Sequence, residues 1–166
     1  MPLRLRRYVF FSQLAPETTL SRAVEGFQKI RVIAKDTGLT GILVFDGAYF
    51  CHYLEGPYPA LRSLVARIAM DERHMHMTPL VDDDLPDERL FRGWATAYTT
   101  QDVVDELLVF QSLRGQAAID RLVALLPSLD GCATLLNPAA KTIASSAEET
   151  RPSTPKHTEC SVADNL

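Results

Sequence analysis

The chain has 166 residues, 46% of them apolar, and a net charge of −4. That length and composition suit one domain with a buried core plus appended segments. The mildly acidic balance leaves no footprint for nucleic acid, and no stretch approaches the roughly 20 apolar residues that span a bilayer.

The N-terminal arginines run directly into an alternating strand pattern, so no signal peptide is read. Cys51, Cys132 and Cys160 are odd in number and scattered, with no C-x-x-C spacing. They indicate a reduced, cytoplasmic protein.

Leu5 to Phe11 is aromatic and branched, which favours a strand. Alternation places Tyr8, Phe10 and Ser12 on one face and Arg7, Val9 and Phe11 on the other. Arg4, Arg6 and Arg7 read as solvated edge positions. After Pro16 a helix begins at Thr18 or Thr19, either of which can cap it. Leu20, Val24, Phe27, Arg31 and Ala34 recur at helical spacing, and Gly38 ends the helix. Leu39 to Phe45 is a covered strand. Asp46-Gly47 predicts a type I′ hairpin turn, and Ala48 to Leu54 is the returning strand.

Pro57 and Pro59 open a second helix where a missing N–H costs little. Its apolar stripe is Leu61, Leu64, Val65 and Ile68, and it ends around Asp71. His74 to Val81 is a fourth strand, Asp82 to Asp84 with Pro86 a polar loop, and Phe91 to Tyr98 a fifth strand. Two helices follow, over 101–113 and 116–126. From about Lys141 the chain is rich in Ser, Thr, Glu and Pro, too polar to offset chain entropy, and is read as disordered. The order strand–helix–strand–strand–helix–strand, with a fifth strand added, is an α+β, ferredoxin-like arrangement.

The run from Leu39 to Gly56, with its Leu54-Glu55-Gly56 ending, followed by Asp71-Glu72-Arg73-His74 and Phe91-Arg92-Gly93-Trp94, resembles the BLUF family of flavin-binding blue-light sensors. The resemblance covers residues 5 to 97. It implies a sheet of about five strands with two helices on one face, two C-terminal helices on the other, and FAD between the first two helices. The domain limits expected are 1–98 for the BLUF-like unit, 99–130 for a helical extension and 131–166 for a disordered tail.

Three positions depart from what the resemblance implies. The family's photoactive tyrosine, which gives an electron and a proton to the excited flavin, falls at Phe10. Phenylalanine has no O–H to give. Tyr8 lies two residues back, about 7 Å away. The bridging glutamine falls at His52, whose neutral imidazole can donate once and accept once but cannot rearrange as an amide; a plain structural histidine is the competing reading. The flavin-anchoring asparagine falls at Ala34, and two neighbouring polar positions at Ile33 and Ile30. Three lost hydrogen bonds at about 1 kcal/mol each weaken a site by about two orders of magnitude.

Arg67, Asp71, Arg73 and His74 match family pocket positions. For Arg67 and Asp71 the competing reading is a surface ion pair along one helix face. The position of the family's output-strand methionine, two residues after Trp94, is Thr96.

Other chemistry is poorly supported. His74 and His76 lack a third metal ligand. Cys51 and His52 are adjacent in a strand and point to opposite faces, so they form no dyad. Asp82 to Asp84 lacks the spacing of a calcium loop. No nucleophile with a base and an orienting group can be assembled, so no enzyme is read.

The expectation is therefore a BLUF-like signalling module that acts through a homodimer or another protein partner without a normal photocycle. FAD is the implied cofactor, weakened or lost. The alternative is a FAD-binding blue-light receptor with altered pocket chemistry, in which Trp94 could serve as electron donor.

Overall fold

A computed structural model describes residues 4–85, 88–99, 107–129 and 132–138, with the side chain of residue 133 excepted, and the backbone of 160–162. Its main elements are β1 (Leu5–Leu14), α1 (Leu20–Thr37), β2 (Thr40–Phe45), β3 (Tyr49–Pro57), α2 (Tyr58–Ala69), β4 (His74–Asp84), β5 (Trp94–Tyr98), α3 (Gln116–Leu125) and β6 (Cys160–Val162). The strands form one sheet in the order β4-β1-β3-β2-β5-β6. β5 runs parallel to β2, and the other neighbouring pairs are antiparallel. This is the expected ferredoxin-like core with a fifth strand, and a short sixth is added.

Period-2 alternation sorts the side chains into two cores. Phe10, Leu43, Phe45, Phe50, Leu54 and Trp94 pack under α1 and α2. Val9, Phe11, Ile42, Val44, Tyr53, Ala95 and Ala97 face the other way, against Leu107, Phe110 and α3. Cys51 and His52 do fall on opposite faces.

Thr19 caps α1 by accepting from the Arg22 amide, and Gly38 ends it at φ 69, which spares a Cβ clash. The buried stripe of α1 is Ala23, Phe27, Ile30 and Ala34, with Gly26. Leu20, expected in that stripe, is exposed.

Several expectations are corrected. The 46–49 turn is not type I′. Gly47 has φ 97, but Ala48 is not among the positive-φ residues, the pattern of a II′ turn. The Asp46 carboxylate accepts from the amides of Ala48 and Tyr49, a local turn that sets this geometry.

Asp82 to Asp84 are not a loop, and the arginines are not edge positions. β1 is internal, and β4 continues to Asp84 because Arg4, Arg6 and Arg7 pair with Asp84, Asp82 and Asp83 across the two strands. β5 starts at Trp94 rather than Phe91, which makes only an isolated bridge to Leu136.

In the stretch expected as a helix over 101–113, residues 101–106 lie outside the described residues. Leu107 and Leu108 are helical, and Val109–Ser112 is a 3-10 turn. Within the tail expected to be disordered, Cys132–Leu135 forms a 3-10 turn and Cys160–Val162 forms β6. Cys132, Leu135 and Leu136 are buried, which is what orders the turn. The rest of that tail lies outside the described residues. Cys132 is disulfide-bonded, which corrects the reading of three reduced cysteines; Cys51 is a free, buried thiol. No helix among the described residues is long and apolar enough to cross a membrane.

Candidate functional site between the first two helices

A cavity of about 220 Å³ opens between α1 and α2. Its apolar walls include Phe27, Ile30 and Ile33 from α1, Leu64 and Ile68 from α2, and Phe50 from β3. Lys29, Arg67, Asp71, Arg73 and His74 supply its polar lining. A more polar, open hollow of about 410 Å³ shares Lys29, Arg67, Asp71 and Arg73 with it and adds Arg22, Glu25 and Glu72.

Of the residues singled out in the sequence, Ile30, Ile33, Arg67, Asp71, Arg73 and His74 converge on this cavity. Phe10, His52 and Ala34 do not line it. Ala34 instead lines a separate cavity of about 270 Å³ with Lys35, Thr40, Arg89 and Trp94.

The polar lining is organised around Arg73. Its guanidinium holds Asp71 through Nη2 at 2.5 Å and Nε at 2.8 Å and donates to the Arg22 carbonyl at 3.0 Å. The Asp71–Arg73 pair stands in place of the Arg67–Asp71 surface pair of the competing reading. α2 stops at Ala69, so Asp71 leaves the helix face that Arg67 occupies, and no ion pair joins those two. Burial pushes the Asp71 carboxyl up, but the Arg73 hydrogen bonds outweigh it and leave the group below the ordinary carboxylate range.

Arg73 lies flat against α1 because residue 26 is glycine. A Cβ there would stand 2.7 Å from Nη1 and 3.0 Å from Cζ. A glycine inside a helix costs about 1 kcal/mol relative to alanine. That cost was the signal in the sequence for a close approach.

Beneath the cavity is an aromatic stack. The Phe10 and His52 rings, opposite one another on β1 and β3, stack with centroids 4.4 Å apart and planes 15° apart. Both are 0% exposed. His74 stands 5.7 Å from His52 and 4.5 Å from Phe50. Its Nδ1 shares a hydrogen bond of 2.8 Å with the Ser12 hydroxyl. Neither ring nitrogen of His52 has a hydrogen-bond partner among the described residues.

Burial, reinforced by the neighbouring His74, holds the His52 pKa well below its ordinary value. His74 is lowered to about 4, chiefly by burial, with Asp71 opposing and Arg73 assisting. Both imidazoles are neutral near pH 7.

Glu55 is the functional-looking residue that pattern reading undervalued. Its fully buried carboxylate accepts from the amides of Leu90 and Phe91, the Thr40 hydroxyl and the Tyr53 hydroxyl. Burial pushes its pKa up while those four donors pull it down. It ties the segment leading into β5 to the middle of the sheet. An acid inside an otherwise apolar strand was the available signal.

The family described as "Sensors of blue-light using FAD" (BLUF) matches residues 5–97. The chain belongs to the BLUF family. Similar solved structures include the BLUF protein BlrB in its dark state, with 22% identity and TM-score 0.61, over 74% of this chain and 94% of that one. Klebsiella pneumoniae BlrP1, in a calcium/cy-diGMP complex, has 26% identity and TM-score 0.52 over 66% of this chain. A bacterial light-regulated adenylyl cyclase has 19% identity and TM-score 0.55 over 65% of this chain. The match spans only 29% of the BlrP1 chain and 33% of the cyclase. No curated protein matches the chain.

The family's cofactor is FAD. In this BLUF chain the apolar cavity residues Ile30, Ile33, Leu64 and Ile68 would hold the ring of such a group. Lys29, Arg67 and Arg73 would meet an anionic tail. The hydrogen-bonding edge is less well served, because Phe10 covers His52 and neither residue reaches the cavity surface. A bound flavin would supply light absorption and an electron-accepting ring.

Proposed function

We propose that this BLUF chain is a sensory or signalling module that works through protein contacts without the family's tyrosine-driven photocycle. One observation carries the reading: Phe10, the residue that the resemblance puts at the donor position, is fully buried and stacked flat on His52. Among the described residues, no tyrosine lines the cavity. Tyr53 lies on the opposite sheet face with its hydroxyl committed to Glu55. Tyr8 is 5.9 Å from Phe10, centroid to centroid. A flavin in the cavity would have no phenol positioned to hand over a proton with its electron. The module acts as a homodimer or on another protein, in the cytoplasm, and is not itself a catalyst.

A second reading, a FAD-binding receptor with altered pocket chemistry, is favoured by the cavity itself and by Trp94, which is 3% exposed and packed on the same sheet face. Absorption spectra of the purified protein, with and without added FAD and under blue light, separate the two. The first reading expects no reversible light-induced shift, whether or not flavin binds. A yellow protein with such a shift would overturn it.

A further inference from the structure

We propose that the cavity of about 270 Å³ at the C-terminal end of α1 binds a small organic carboxylate, gripped by Arg89 and Lys35 and packed against Trp94. Among the described residues it shares no lining residue with the cavity between α1 and α2, so the site stands whether or not a flavin binds there. Its volume is below the roughly 300 Å³ at which drug-sized sites begin, which limits the occupant to a short carbon skeleton.

Charge decides the class of ligand. Lys35 and Arg89 line the cavity, and among the described residues no Asp or Glu does. Neither cation has a carboxylate partner among those residues. The end of α1 opposes them with a partial charge of about −0.5, against two full positive charges. That end is also already covered. The Gly38 amide donates to the Ala34 carbonyl, and Arg89 donates to the Gly38 carbonyl. The net field favours an anion.

Arg89 is held in place to meet one. Its Nη1 donates to the Gly38 carbonyl at 2.7 Å and to the Thr40 hydroxyl at 3.2 Å. The Asn137 side chain donates to its carbonyl, and the next amide, that of Leu90, donates to Glu55. Nε and Nη2 have no partner among the described residues and are not sealed from solvent. These two donors lie along one edge of the guanidinium, where a carboxylate accepts two parallel hydrogen bonds.

Trp94 forms the wall and is 3% exposed, and its buried indole N–H has no partner among the described residues. Buried donors are nearly always satisfied, and a ligand in the adjoining cavity is a source of the acceptor. Ala34 and Leu39 face the apolar part of the occupant.

The chain has one tryptophan, so a proton–nitrogen correlation spectrum of the full chain holds one indole N–H signal, and it reports on this site. Butyrate is the probe, with butyramide as its uncharged counterpart and inorganic phosphate as a competing anion. A Kd of about 1 mM is within reach of so small a ligand, so the titration runs to about 50 mM at constant ionic strength. The indole signal should move and saturate with butyrate and stay in place with butyramide. Arg89→Gln should weaken binding at least about ten-fold through loss of the two-point ionic contact. Arg89→Lys keeps the charge without the fork and should recover only part of that loss. Lys35 is exposed, so Lys35→Gln leaves the fold intact and should weaken binding about two- to three-fold. An unmoved indole signal, an equal response to butyramide, a response to phosphate alone, or unchanged affinity in Arg89→Gln or in Lys35→Gln would each overturn the proposal.

Discussion

Acid should destabilise this protein from about pH 6.5 downward, because two buried imidazoles are kept neutral in the folded state. An unfolded histidine titrates near 6.5, whereas His74 in the fold is lowered to about 4 and His52 is also held well below its ordinary value. Between those pH values the unfolded chain binds protons that the native state refuses. Stability therefore falls as pH falls, by about 1.4 kcal/mol per pH unit for each such histidine. For His74 the window from 6.5 to about 4 amounts to roughly 3 kcal/mol. His52 acts in the same direction, so the slope approaches about 3 kcal/mol per pH unit where both contribute.

Asp71, whose pKa is lowered, adds its own loss only at a lower pH, below the ordinary carboxylate range. Glu55 and Asp46, whose pKa values are raised, oppose the trend. Urea unfolding midpoints measured from pH 7 to pH 4.5 should decline across this window, and the decline should shrink in a His52→Leu, His74→Gln double variant. A flat midpoint from pH 7 to pH 5, or an undiminished decline in the double variant, would refute the reasoning.

Three further outcomes follow from packing. His52→Leu removes two unpartnered nitrogens from a fully buried site and should stabilise the fold at pH 7 by about 1 kcal/mol in urea titrations; a loss of that size would mean the nitrogens are satisfied. Glu55→Ala strands four donors, two buried and two part-buried, and should cost about 3–5 kcal/mol, with faster amide exchange at Leu90 and Phe91. Gly41→Ala should largely abolish soluble expression, since its Cβ would lie 1.9 Å from the Tyr53 carbonyl oxygen at a φ of 149; backbone strain alone is worth about 1–3 kcal/mol, and a melting temperature within a few degrees of the parent would contradict this.

Much of the scaffold was legible because it rests on local rules. The alternation of Tyr8, Phe10 and Ser12 against Val9 and Phe11 follows from the pleat, and Thr19 and Gly38 mark α1 by capping chemistry alone. The proposal made for Phe10, Ala34 and His52 rests on side-chain identities alone, which the sequence prints directly. The arginine–aspartate ladder was missed, since the two halves are 76 to 80 residues apart in sequence and only strand pairing aligns them. The 132–135 turn was missed because a few apolar residues in a polar stretch carry little weight until a core exists to receive them.

By itself the sequence determined the order of β1 to β5 with α1 and α2, the capping residues Thr19 and Gly38, and the lack of a phenol at residue 10. Those properties depend on neighbours along the chain or on one side chain's covalent structure. Only the tertiary structure decided that Asp71 pairs with Arg73, that His52 is sealed under Phe10 with both nitrogens unpartnered, and that Ala34 faces a different cavity. Burial, proton affinity and cavity shape are set by atoms from β1, β3, α1, α2 and β4 at once, and no local stretch of chain contains them.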